Sequence, residues 1–106
     1  MPLENAPTLI MCNDAETAHV LVTCVSEAQG DVVYTNNARD ALHRLDQFTF
    51  DLAVIDSSPA ADAVAKELEA QGIPFIVFGA PASEVKALIV TDLSQVVPVL
   101  AKLRVP

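Results

Sequence analysis

Five short apolar runs divide the chain: "TLIMC" (8–12), "DVVYT" (31–35), "DLAVID" (51–56), "PFIVFG" (74–79) and "ALIVT" (87–91). They are rich in β-branched residues and lack a sustained polar alternation, the pattern of strands buried on both faces. Between the first two runs, Ala18, Leu21, Val22, Val25 and Ala28 recur at helical spacing, and Gly30 follows as a stop signal. A second helix, capped by Asn36 or Asn37, turns Ala38, Ala41, Leu42 and Leu45 inward and Arg39 and Asp40 outward. A third, "ADAVAKELEAQG", buries Val64 and Leu68 and ends at Gly72. Leu93, Val96, Val97, Leu100 and Leu103 mark a terminal helix, in which Pro98 removes a backbone donor and so bends the helix or delays its start.

Strands that alternate with helices imply a parallel sheet with right-handed crossovers. The expected fold is therefore a doubly wound α/β sandwich with five strands in the order 2-1-3-4-5. Residues 1–7 are expected to be a flexible tail and residues 8–106 one domain. One crossover departs from the rule. Between strands four and five only "PASEVK" (81–86) is available, whereas a helical crossover needs roughly ten to twelve residues. Extended, such a segment reaches roughly 20 Å, enough to return along a short strand but not to wind a helix on the way. The fourth crossover helix should be missing or a single turn. One sheet face at strands four and five would then be undercovered, with Ile76, Phe78, Leu88 and Val90 as candidates for an apolar patch that a partner or a second copy covers.

Composition narrows the function. The chain has 106 residues, 52% of them hydrophobic, which suits one folded domain with a core of its own. Its 14 acidic residues against 6 basic ones give a formal charge of −8, which opposes docking on nucleic acid or anionic lipid and points to a protein partner or small ligand. Cys12 and Cys24 belong to no dense cysteine framework and read as reduced core thiols of a cytoplasmic protein. The N-terminal stretch lacks a secretion signal's basic start and apolar core, and no segment approaches the length of a membrane span.

Ligands of doubly wound folds gather at the carboxyl edge of the sheet, near the switch in strand order. Asn13, Asp14, Asp56, Gly79 and Thr91 fall at that edge. "ND" after strand one, "ARDALHRLDQFTFDLAVID" through helix two and strand three, and "IPFIVFGA" at strand four together resemble the receiver (CheY-like) domain of bacterial response regulators. The likeness spans residues 8–103. It implies that Asp56 is the acceptor of a phosphoryl group from a kinase phosphohistidine. It further implies that Asp14, Asp56 and the main-chain oxygen of Ser58 hold Mg²⁺, a cation that prefers hard oxygen ligands and neutralises charge building up during attack on phosphorus.

Several positions depart from the family pattern. Asn13 stands where an acid is usual, Gly79 replaces the strand-four hydroxyl, Thr91 replaces the strand-five lysine, and Leu88 replaces the strand-five aromatic. Lys86 lies too far upstream to substitute. An ammonium beside a phosphoryl group supplies charge-assisted hydrogen bonds that a hydroxyl cannot match. The expectation is an atypical stand-alone receiver in two-component signalling that works by protein–protein interaction, with weak Mg²⁺ binding and weak or no phosphorylation switching at Asp56. Its implied partners are a histidine kinase, a phosphotransfer protein or another regulator.

Three alternatives stand beside this. A conventional phosphoacceptor or phosphorelay shuttle would use Asp56 fully. A phosphocarrier similar to sugar-transport IIB proteins would use Cys12 at the end of strand one, although Asp14 and Glu16 oppose an anion there. Asp14 and Asp56 also have a purely structural reading, as carboxylates that accept backbone amides at loop starts. His19 and His43 read as exposed helix positions, and Ser57 and Ser58 as turn residues.

Overall fold

A computed structural model describes residues 6–56, 60–78, 88–90 and 96–104. Five parallel strands, β1 (Pro7–Met11), β2 (Asp31–Thr35), β3 (Leu52–Asp56), β4 (Phe75–Phe78) and β5 (Leu88–Val90), form one sheet in the order β2-β1-β3-β4-β5. The α/β doubly wound architecture and the strand order are those that the apolar runs imply. Because β1 leads outward to β2 while β3 lies on its other side, the connections leaving β1 and β3 diverge and open a crevice at their carboxyl ends.

The strands alternate their side chains between two cores. Ile10, Val54 and Ile76 face helix α1 (Ala15–Glu27) and the terminal helix α4 (Val96–Arg104), where they meet Leu21, Val25 and Leu100. Leu9, Ile55 and Val77 face helices α2 (Ala38–Gln47) and α3 (Ala61–Gln71), meeting Leu45, Val64 and Leu68. Full burial of a side chain of this size is worth about 1.5–3 kcal/mol, so these two layers carry most of the drive to fold.

Alternation also corrects the expected apolar patch. Ile76 is fully buried and Phe78 packs partly buried, both on the side that α1 and α4 cover. The β4 residues on the other side are Phe75 and Val77, since successive side chains of a strand point to opposite faces. Phe75 and Val77 are buried as well, so β4 contributes no exposed apolar patch on either face. The side chains of Leu88 and Val90, and the short crossover at residues 79–87, lie outside the described residues.

Helix ends follow local chemistry. In α2, Asn37 and not Asn36 is the cap: its side chain accepts from the amide of Asp40 at 2.7 Å. Helix α3 stops at Gly72, whose φ of 71° is the left-handed conformation that glycine adopts without a Cβ penalty. Helix α1 ends one residue earlier than Gly30 suggested. Gln29 takes the left-handed conformation at φ 67°, its amide bonds to the Ser26 carbonyl, and the Gly30 amide bonds back to the Val25 carbonyl. That pair of bonds is a Schellman closure with a non-glycine residue at its strained position. Pro98 is the third residue of α4, near the start of its described span.

The expected tail is shorter at its inner end. Pro7 already belongs to β1, and Ala6 is fully buried, its carbonyl accepting from the Asp31 amide at 2.9 Å and from the Thr8 hydroxyl at 3.0 Å. Residues 1–5 lie outside the described residues. Cys12 falls just past the strand, although its amide continues the pairing to the Thr35 carbonyl at 3.1 Å.

Candidate functional site

β1 and β3 run side by side with Met11 opposite Ile55, so the residues after Met11 and the last residue of β3 emerge together at the carboxyl edge. Asp56, the residue that ends β3, is partly exposed there. Its Oδ2 accepts the main-chain amide of Asn13 at 2.9 Å across a sequence gap of 43 residues. This bond ties the loop after β1 to the end of β3.

Asp14 is the N-cap of α1. Its Oδ2 accepts the Thr17 amide at 3.1 Å and the Thr17 hydroxyl as well. Both bonds favour the ionised form, so the carboxyl is held below the ordinary aspartate value, first by the hydroxyl and then by the amide. The structural reading of Asp14 is thus realised: it satisfies a free amide at the start of a helix, where the macrodipole also favours an anion.

Cys12 lies against the same pair. It is buried, and its thiol reaches the Asp14 carbonyl at 3.5 Å. Burial raises the thiol's pKa, main-chain hydrogen bonding at Asp14 opposes that rise, and the negative charges of Asp56 and Asp14 add to it. A phosphocysteine mechanism needs a thiolate in an electropositive nest, and this sulfur sits in the opposite environment.

The structure therefore brings Cys12, Asn13, Asp14 and Asp56 to one corner. Ser57, Ser58, Gly79, Lys86 and Thr91 fall outside the described residues; Leu88 is in β5 opposite Ile76, as its alignment with a strand position requires. His19 and His43 are exposed on α1 and α2. Two participants escaped the sequence reading. Thr17 was recoverable, since an aspartate three residues ahead of it at a helix start is a capping pattern. Tyr34, whose hydroxyl donates to the Cys12 carbonyl at 3.1 Å, leaves no local signal because its partner is 22 residues away.

The carboxylates of Asp14 and Asp56 are the hard oxygen donors that Mg²⁺ takes, and one or two carboxylates completed by water are its usual protein share. The donor chemistry fits. The set is sparse, however: among the described residues no group of three or more His, Cys, Asp or Glu is arranged to hold a metal. Asp14 would also have to share with the cation a carboxylate that already caps α1.

No protein-family model matches the chain, and no curated protein matches it in sequence. Solved structures do. The receiver domain of Francisella response regulator 1452 superposes with a TM-score of 0.80 at 20% identity, over 94% of this chain and 97% of its own. The receiver domain of sensor histidine kinase PA1611 from Pseudomonas aeruginosa, whose structure has magnesium coordinated in its active-site cleft, gives 0.81 at 12% identity over 94% and 98%. The pseudo-receiver domain of the CikA protein gives 0.71 at 16% identity over 95% and 98%. At these identities the likeness establishes the fold, that of receiver domains. Among the described residues, no helix is long and apolar enough to cross a membrane.

Proposed function

We propose that this chain is an atypical receiver module of two-component signal transduction, acting in the cytoplasm by protein–protein interaction, with weak or no phosphorylation switching at Asp56. One observation carries the reading: in a receiver fold, the carboxylate that ends β3 is bonded to the amide of Asn13, and the neighbouring acid, Asp14, is engaged as a helix cap. Asn13 brings no charge of its own where a second acid would strengthen a cation site. Asp14, Asp56 and the main-chain oxygen of Ser58 would hold Mg²⁺ weakly, and the bound ion would supply charge neutralisation at the crevice.

Gly79, Thr91 and Leu88 lack the hydroxyl, ammonium and aromatic ring by which a receiver responds to a phosphoryl group. Recognition then rests on the surface around the crevice, and its partner is a histidine kinase, a phosphotransfer protein or another regulator. A second copy of the chain meeting the β4–β5 face is a further partner on this reading. The acidic balance suits a partner with a basic face.

The test is incubation with Mg²⁺ and a small phosphodonor, followed by intact-mass measurement, alongside calorimetric titration against kinase and phosphotransfer domains of the same organism. Little or no mass gain, with partner affinity retained in Asp56→Asn, is the expected result. A stoichiometric adduct that Asp56→Asn abolishes and that changes partner affinity tenfold or more would replace this reading with a conventional phosphoacceptor, tenfold being about 1.4 kcal/mol of coupling.

A further inference from the structure

We propose that Tyr34 is a positioning residue for Asp56, acting through the peptide group that joins Cys12 to Asn13. The Tyr34 hydroxyl donates to the Cys12 carbonyl oxygen at 3.1 Å, and the Asn13 amide donates to Asp56 Oδ2 at 2.9 Å. Those two acceptor and donor atoms belong to the same planar amide, the oxygen on one side and the N–H on the other. The four groups form one chain: phenol to carbonyl, carbonyl through the amide to its N–H, and N–H to carboxylate.

Two consequences follow from amide chemistry. A donor on the carbonyl oxygen draws electron density away from nitrogen, which makes the N–H a better donor, by an amount on the order of 10–30% per bond. The amide is also stiff, so a rotation that breaks the phenol's bond tilts the N–H away from Asp56 as well. Tyr34 thereby holds the carboxylate's orientation without touching it.

The phenol is fixed from behind. Tyr34 pairs with Ile10 across β2 and β1, and its ring lines a groove of about 320 Å³ with Ala15, Ala18, His19 and Val22. Ala18 is buried against the α1 core, so this wall of the groove is set by core packing. Tyr34 is 41% exposed as a residue, yet its hydroxyl is engaged by the Cys12 carbonyl. A tyrosine that served only to satisfy the Cys12 oxygen would leave Asp56 unaffected.

The use of this link in signalling rests on the reading of Asp56 above. The link itself does not, and it is measured on the metal-free protein. In ¹H–¹⁵N spectra of the full chain, Tyr34→Phe should move the Asn13 amide proton upfield and speed its exchange with solvent by roughly three- to tenfold, the loss expected for one weakened hydrogen bond. In an Asp56→Asn background, where the acceptor is neutral, the same substitution should move Asn13 less. Tyr34 is the chain's one tyrosine, so biosynthetic fluorotyrosine alters this phenol alone and makes it a stronger donor. That protein should move the Asn13 proton downfield, the opposite direction, and it decides the matter alone if Tyr34→Phe disturbs the fold. An unmoved Asn13 amide, an equal response with Asp or Asn at position 56, or an upfield move with fluorotyrosine would overturn the proposal. A full phosphodonor adduct at Asp56 would sink the docking reading and leave these spectra unchanged in meaning.

Discussion

Asp14 shows how one side chain divides its capacity between folding and chemistry. Its carboxylate accepts two bonds from Thr17, and its pKa lies below the ordinary aspartate value for that reason. A carboxyl whose folded pKa is depressed adds stability that is fully present above the unfolded value and is lost as the pH falls through the folded one. The stability of the protein should therefore drop as the pH descends below 3.8, the ordinary aspartate value, with part of the slope due to Asp14. Asp14→Asn keeps a capping oxygen but cannot titrate. Denaturation followed from pH 6 to pH 2 should show a shallower acid slope in that variant, and an unchanged slope would remove Asp14 from the acid transition. The bonds that depress its pKa also lower the gain that Asp14 has left to offer a cation.

At the scale of elements, the ends of the helices separate what sequence can reveal from what it hides. Gln29 sits at φ 67° where a glycine carries no Cβ penalty, and Gly30 follows in a position that does not need it. Gln29→Gly should stabilise the protein by about 0.5–1 kcal/mol, read as a higher urea midpoint at constant slope, because relief of the left-handed strain exceeds the entropy that glycine adds to the unfolded chain. Equal or lower stability would mean that the Gln29 side chain contributes something the backbone argument omits. Gly30 misled the reading because a glycine near a helix end looks like the stop itself, whereas the closing bonds place the stop one residue sooner. The strands and their order were legible because runs such as "LIMC" and "LAVI" are apolar throughout, the pattern of a sheet covered on both faces. That same uniformity hid which face each residue takes. Ile76 and Val77 are equally apolar, and only the sheet sends the first to α1 and α4 and the second to α3. Asp56 was legible as a strand end; its bond to Asn13 and the Tyr34 bond to Cys12 depend on strand register, which no local pattern records.

On the scale of the molecule, the sheet stands between two apolar layers, one closed by α1 and α4, the other by α2 and α3. Leu21→Ala and Leu68→Ala each remove a fully buried side chain, on opposite layers, and each should cost about 2–5 kcal/mol. Combined, their costs should add to within about 0.5 kcal/mol, since the two share no cavity. Leu21→Ala with Leu100→Ala lies within one layer, and there the double variant should depart from the sum by about 0.5 kcal/mol or more. Chemical denaturation of the singles and doubles, on a scaffold stabilised by Gln29→Gly, would check this; coupling across the sheet as large as coupling within a layer would refute it. A partition of this kind lets the two sides of the protein change at different rates. A lineage is free to resculpt α2 and α3 for a new binding counterpart while the α1–α4 flank, which carries the Asp14 cap and the Tyr34 groove, keeps the corner holding Asp56 in place.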